Sequence, residues 1–168
     1  MNSMEYGNLN ICCIYNFSGH AKFAIYNSNP WSTVLQFYHP NGREFLTLSE
    51  LSLLKFRNFP LIIMDGCETS RGTSSRINES LNIARILINN GAGSVISSNW
   101  SYSTDISYRF WRKYYEYLLH HDVTESLFKT RQYLAEEFTE SLYWLTFSLT
   151  GYPNLKYDIY EIENHKFI

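Results

Sequence analysis

The chain has 168 residues, 45% of them hydrophobic, which is enough for one domain built around a single core. Its 14 Lys and Arg residues against 16 Asp and Glu residues leave a formal net charge of −2, so neither a nucleic-acid-binding surface nor a polybasic membrane contact is favoured. The longest apolar run, residues 59–64, contains Pro60 and is far shorter than the roughly 20 residues that a membrane-spanning helix needs.

The first residues and the cysteines bear on location and redox chemistry. The chain does not open with a basic segment, an apolar core and a small-residue cleavage site, so we expect no secretory signal and a cytoplasmic location. The three cysteines, Cys12, Cys13 and Cys67, are odd in number, and the adjacent pair fits neither a disulfide framework nor a CxxC metal site. We therefore expect Cys12 and Cys13 in the core.

Three short apolar runs predict buried strands. They occupy residues 11–17, 61–64 and 94–97, and turn-forming or polar residues close each of them, as in strands that are covered on both faces. The first strand is expected to end at Ser18-Gly19.

Two other segments have strand character. Residues 34–38 and 44–46 flank Asn41-Gly42, a strong turn signal that predicts a small exposed hairpin. After Tyr152 the chain becomes a polar tail that contains the strand-like residues 157–162.

Helical patterns separate the predicted core strands. Residues Ile83, Ile86, Leu87 and Asn90 have the spacing of one helix face, and Gly91 follows as a helix-ending residue. The predicted helices span residues 47–56, 79–90, 105–121 and 124–138, with Thr47 or Ser49 as cap of the first and Thr124 as cap of the last.

The alternation of strands and helices predicts an α/β fold. Strands that alternate with helices form parallel sheets through right-handed crossovers, and helices then cover both faces. No repeat, linker or low-complexity segment divides the chain, so residues 1–168 are expected to form one domain.

Two reactive side chains follow predicted core strands. His20 comes after the first strand and Cys67 after the second, each beside a glycine. Because ligands and catalytic groups gather beyond the carboxyl ends of parallel strands, the two side chains are expected to converge. A thiolate is a strong nucleophile and an imidazole can handle its proton near neutral pH, which suits acyl transfer.

Four motifs in sequence order resemble one family. They are Ser-Gly-His-Ala at 18–21, Asp-Gly-Cys-Glu-Thr-Ser at 65–70, Gly-Ala-Gly-Ser-Val-Ile-Ser-Ser-Asn-Trp at 91–100 and Trp-Leu-Thr-Phe-Ser-Leu-Thr-Gly-Tyr-Pro at 144–153. Together they resemble the CHAT domain, a caspase-like cysteine peptidase module of bacteria that is often fused to TPR repeats. The resemblance implies a three-layer α/β/α fold with a mostly parallel sheet.

The resemblance also implies catalytic roles. His20 corresponds to the general base and acid and Cys67 to the nucleophile, in the order and at about the spacing found in caspases. The backbone N–H groups of Ala21 and Cys67 would stabilise the oxyanion. Family members commonly have glycine at the position of Ala21, and alanine is penalised at positive φ. Such chemistry needs neither a metal nor an organic cofactor.

Substrate contacts follow from the same resemblance. Asn99 and Trp100 correspond to the strand end that pairs with substrate, with Trp100 as a pocket wall or, alternatively, a core residue. Asp65, two residues before Cys67, is the preferred acid for selecting Arg or Lys before the scissile bond. Its alternative role is to accept backbone hydrogen bonds in a turn. Asp105 is the second choice for the acid.

The function expected from the resemblance is a cysteine endopeptidase that cleaves a protein after a basic residue in a bacterial signalling or defence system. The alternative is a catalytically inactive caspase-like scaffold. CHAT domains generally have further strand-helix units before the His strand. We therefore expect the chain to be a piece of a larger protein, or a second polypeptide or TPR-type partner to cover the sheet edge.

Overall fold

The computed structural model describes residues 14–22, 34–39, 42–66 and 83–157. The elements are β1 (Ile14–Lys22), β2 (Val34–His39), β3 (Gly42–Thr47), α1 (Leu48–Leu51), β4 (Leu61–Gly66), α2 (Ile83–Asn89), β5 (Ser94–Ser98), α3 (Thr104–Leu118), α4 (Val123–Glu137), α5 (Ser141–Trp144) and β6 (Phe147–Gly151). The expectations for Cys12, Cys13, Asn41, Cys67, residues 79–82 and the tail from residue 158 onward lie outside the described residues.

The six strands form one sheet in the order β3-β2-β1-β4-β5-β6. The central pairs β1–β4 and β4–β5 are parallel, as expected from the strand-helix alternation. The pairs β1–β2, β2–β3 and β5–β6 are antiparallel and lie on either side of this centre.

Helices cover both faces of the sheet, which confirms the α/β/α layering. Along β4, Ile62 and Met64 face one side and pack with residues of α1 and α2. Leu61 and Ile63 face the other side and pack with residues of α3 and α4. We call these the α2 face and the α3 face. Because both faces are buried, β4 begins with consecutive apolar residues and does not alternate between apolar and polar residues.

Strand β1 is longer than predicted. It continues past Ser18 and Gly19 to Lys22, so the expected end at Ser18-Gly19 is wrong. Residues 14–19 pair with β4, whereas residues 20–22 pair with β2. A Cβ at Gly19 would lie 2.5 Å from the carbonyl oxygen of Gln36 in β2. Glycine is therefore required where the two strands approach each other, and it does not end the strand.

The predicted hairpin of β2 and β3 is present, but it is not peripheral. The two strands pair from Val34 and Thr47 to His39 and Gly42, and β2 joins the hairpin to β1. Leu35 belongs to the core of the α2 face and is 2% exposed. The hairpin extends the main sheet.

The first predicted helix is much shorter than its pattern suggested. Of the two predicted caps, Thr47 and not Ser49 is the N-cap of α1, and it forms a capping box with Glu50. The helix ends at Leu51. Leu53 and Leu54, which would have continued it, are exposed. A helix of one turn without a buried face beyond Leu51 has nothing to stabilise its extension.

The other helices agree with the predictions apart from their ends. Ile83, Ile86 and Leu87 of α2 are buried, and Gly91 has φ +102° after the helix. Helix α4 begins at Val123, and Asp122, not Thr124, is its N-cap. The predicted cap Thr124 instead donates through Oγ1 to the carbonyl of Pro153.

Strand β6 was not predicted as a strand. It lies in the motif at 144–153 and pairs antiparallel with β5 from Phe147 and Ser98 to Gly151 and Ser94.

Among the described helices, none is both long and apolar enough to cross a membrane.

Candidate functional site

The site expected from the sequence lies at the carboxyl ends of β1, β4 and β5. Ser18 pairs with Asp65 and Gly19 with Gly66 in the parallel ladder. His20 follows Gly19 and is an exposed residue within β1 rather than on a loop, which corrects its expected setting. Cys67 follows Gly66 in the sequence and lies outside the described residues.

The pleat of β1 determines the face on which His20 lies. Ile14 packs on the α3 face and Phe17 on the α2 face, as the alternation of a strand requires. Counted along the same pleat, His20 falls on the α3 face, together with Ser18. Asp65, which alternates with Ile63 in β4, lies on the same face.

The backbone conformation of Ala21, the residue after His20, is compatible with alanine. It belongs to β1 and pairs with Leu35. The non-glycine residues with positive φ in the described ranges are Asn58 and Phe59, so Ala21 does not need the conformation in which glycine is favoured. Its backbone carries no left-handed strain.

Among the described residues, Asp65 accepts hydrogen bonds from two side chains. The hydroxyl of Tyr102 donates to Oδ1 at 2.5 Å. Ser107 Oγ lies 2.9 Å from both Oδ1 and Oδ2. Ser107 is in the first turns of α3, where the N-terminal end of the helix favours a carboxylate. Asp65 therefore ties β4 to the start of α3.

The neighbouring phenols are kept neutral. Burial, with a contribution from the negative charge of Asp65, raises the pKa of Tyr115 to about 12. Burial also raises the pKa of Tyr114, which lies deep in the core of the α3 face. Near neutral pH, both tyrosines therefore stay uncharged.

Ser98 holds the end of β4. The ladder between β4 and β5 ends at the pair Met64 and Ser97. Beyond this pair, the Ser98 hydroxyl donates to the carbonyl oxygen of Gly66. Ser98 is 0% exposed, so no bulk water competes for this carbonyl.

Asn99 and Trp100 form hydrogen bonds with α5, with β6 and with the residue that follows α5. Asn99 Nδ2 donates to the carbonyl of Leu145 at 2.8 Å, and Ser148 Oγ donates to Asn99 Oδ1 at 2.9 Å. Trp100 Nε1 donates to the carbonyl of Leu142 at 3.2 Å. Both side chains are half-buried, so part of each remains accessible.

Asp105 is not brought to Asp65. It is exposed and forms an ion pair with Arg109 at 3.0 Å. Asp105 lies two positions before Ser107, so the two side chains are about 200° apart around the axis of α3. It borders an open groove of about 360 Å³ whose other lining residues are Tyr108, Arg109, Arg112, Lys113 and Tyr133.

Sequence reasoning missed the residues that hold the site together. Tyr102 and Ser107 are 37 and 42 residues from Asp65, and Ser98 is 32 residues from Gly66. No local pattern in the sequence marks a serine or tyrosine for such contacts.

Within the ranges that the structure describes, no group of three or more His, Cys, Asp or Glu side chains could hold a metal ion.

Comparison with known proteins agrees with this architecture. No curated protein matches the sequence significantly. The family model described as the CHAT domain matches residues 13–152, a range that contains every strand and helix given above. The chain has the α/β layering of caspase-like proteins, and it belongs to the CHAT domain family, which is related to the caspase-like cysteine peptidases.

Proposed function

We propose that this protein is a cysteine endopeptidase of caspase-like type in which His20 and Cys67 form the catalytic dyad. The observation that carries the proposal is the parallel register of Gly19 with Gly66. These glycines directly precede His20 and Cys67 in the sequence. Adjacent strands are about 4.8 Å apart, a distance that two side chains on the same face can bridge.

The faces of the two strands support the same pairing. His20 falls on the α3 face by the pleat of β1, and Asp65 lies on that face in β4. If the alternation of β4 continues by one residue beyond Gly66, position 67 also belongs to the α3 face. The imidazole and the thiol would then meet on one side of the sheet.

The proposed reaction is acyl transfer to the thiol followed by hydrolysis. His20 takes the proton of Cys67, and the thiolate attacks the scissile carbonyl carbon. The tetrahedral intermediate collapses, its C–N bond breaks and the leaving amine takes the proton from His20. Water then attacks the thioester, His20 accepts a proton from it, and the C–S bond breaks with release of a carboxylate and return of the proton to the thiol.

The oxyanion of each tetrahedral intermediate would be stabilised by the backbone N–H groups of Ala21 and Cys67. The extended backbone of Ala21 supports this role, since alanine at that position costs no left-handed strain. We further propose that Asn99 and Trp100 contact the substrate, because both remain partly accessible at the end of β5.

We propose Asp65 as the acid that selects a basic residue before the scissile bond. Among the described residues, its Oδ1 accepts from Tyr102 and Ser107, whereas Oδ2 accepts from Ser107 alone. A carboxylate oxygen can accept two hydrogen bonds, so Oδ2 retains capacity for an Arg or Lys side chain. Asp105 is the second candidate, and a role in bacterial signalling or defence is part of the same proposal.

Substitution of the dyad tests the proposal. The intact chain is incubated with a library of peptides derived from whole-cell protein, and new termini are identified by mass spectrometry. Cys67→Ala and His20→Ala should each abolish cleavage with an unchanged melting temperature, because removing a reactive group deletes chemistry and little packing.

His120→Ala is the matched control for His20, since His120 is also an exposed histidine and follows the end of α3. This variant should cleave like the wild type. Undiminished cleavage by Cys67→Ala would refute the assignment, and an inert wild-type chain would favour the catalytically silent scaffold.

A further inference from the structure

Ser98 makes an unusual contact at the candidate site. Its hydroxyl crosses from β5 to the carbonyl oxygen of Gly66, beyond the last backbone pair of the β4–β5 ladder. The bond is buried, and its acceptor belongs to the peptide group that joins Gly66 to Cys67. A buried side chain thus fixes the backbone next to the proposed nucleophile.

We propose that Ser98 is a positioning residue that orients the N–H group of Cys67 toward the oxyanion. This inference rests on the proposed function and adds a residue that the dyad and the oxyanion donors do not include. The proposed role follows from the position of the Gly66 carbonyl, which the structure describes, and from the rigidity of the peptide group.

The peptide group transmits the orientation. A trans peptide is planar, and its C=O and N–H groups point in opposite directions. The Gly66 carbonyl accepts from Ser98 of β5, so the N–H of the same peptide group would be directed toward the opposite neighbour of β4. That neighbour is β1, the strand of His20 and Ala21.

The hydrogen bond also strengthens the donor. A carbonyl that accepts a hydrogen bond polarises its peptide group, so the N–H of the same group becomes a better donor. The effect is larger in a buried site, because a low local dielectric increases electrostatic interactions. Ser98 would therefore orient the N–H group of Cys67 and also make it a stronger hydrogen-bond donor.

The neighbouring serine provides a matched control. Ser97 is also buried in β5, but its Oγ has no hydrogen-bond partner among the described residues. By the alternation of the strand it lies on the opposite face from Ser98. Ser97→Ala removes a buried hydroxyl of the same size without touching the Gly66 carbonyl.

The test compares two probes of Cys67 in the full chain. A peptide aldehyde ending in arginal forms a thiohemiacetal, as the sulfur adds to the carbonyl carbon and its oxygen occupies the oxyanion position. Iodoacetamide alkylates the thiolate by displacing iodide, and no oxyanion forms. Mass spectrometry of the peptide containing Cys67 follows both adducts.

Ser98→Ala should weaken the aldehyde affinity and lower kcat by at least about tenfold, since losing an oxyanion donor outright costs about a hundredfold or more. KM and the alkylation rate should stay within about twofold of wild type. Ser98→Cys, which keeps the side-chain size with a weak donor, should show the same separation if Ser98→Ala does not fold. Ser97→Ala should change none of these quantities.

Equal losses in aldehyde affinity and alkylation rate, or no loss in either, would overturn the role of Ser98. Failure of the proposed function itself has a different signature. In that case the wild-type chain neither cleaves peptide nor forms the aldehyde adduct, and the Ser98 proposal falls with it.

Discussion

At the scale of single residues, Asp65 shows how one carboxyl group can serve both the fold and the site. Tyr102 and Ser107 hold it, and through them β4 is joined to α3. The same contacts fix the direction of Oδ2, which accepts only one of these hydrogen bonds. A structural role and a role in specificity therefore predict different effects of removing the charge.

We expect Asp65→Asn to reduce kcat/KM for a basic substrate by about 2 kcal/mol, roughly thirtyfold, because a charge-assisted hydrogen bond is lost. Substrates with a neutral residue at the same position should change little. The measurement compares paired fluorogenic peptides that differ only in that residue.

Asp105→Asn is the control, since Asp105 is exposed, paired with Arg109 and turned away from Asp65. If Asp105→Asn instead loses the preference for basic substrates, then Asp105 is the residue that selects them. Equal losses for basic and neutral peptides in Asp65→Asn would show that Asp65 only joins β4 to α3.

At the scale of elements, the ends of helices depended on contacts that lie outside the helix itself. Asp122 and Thr124 are both good capping residues, and only one can occupy the N-cap. Asp122 accepts from the N–H of Glu125 at 2.8 Å, while the N–H of Val123 donates to the carbonyl of Leu155. Docking of the segment around residue 155 thus fixes where α4 begins.

Asp122→Ala should lower the free energy of unfolding by about 1 kcal/mol, the usual cost of losing an N-cap. Urea denaturation followed by circular dichroism measures the change. Gln132→Ala, at an exposed position inside α4, is the control and should alter stability by less than about 0.5 kcal/mol. A larger loss in Thr124→Ala than in Asp122→Ala would contradict the assignment of the cap.

At the scale of the whole molecule, β1 changes partner along its length. Residues 14–19 pair with β4, whereas residues 20–22 pair with β2. Since the strand order places β1 between these two strands, β1 joins the parallel centre of the sheet to the antiparallel hairpin.

The sequence alone determined the features that depend on local patterns. Apolar runs identified β1, β4 and β5, because strands buried on both faces need uninterrupted apolar residues. The spacing of Ile83, Ile86 and Leu87 identified the buried face of α2. The capping residues placed the start of α1 at Thr47 or Ser49, and Thr47 is the cap. The motifs at 18–21, 65–70, 91–100 and 144–153 identified the CHAT family, which the family match confirmed.

The tertiary structure decided what depends on partners distant in sequence. Strand β1 continues past Gly19 because β2 offers it a new partner, and α1 stops after one turn because nothing covers Leu53 and Leu54. The bonds from Tyr102 and Ser107 to Asp65 and from Ser98 to Gly66 each cross more than 30 residues. A pattern in sequence encodes which face of an element is apolar, whereas only packing brings particular polar atoms within hydrogen-bonding distance.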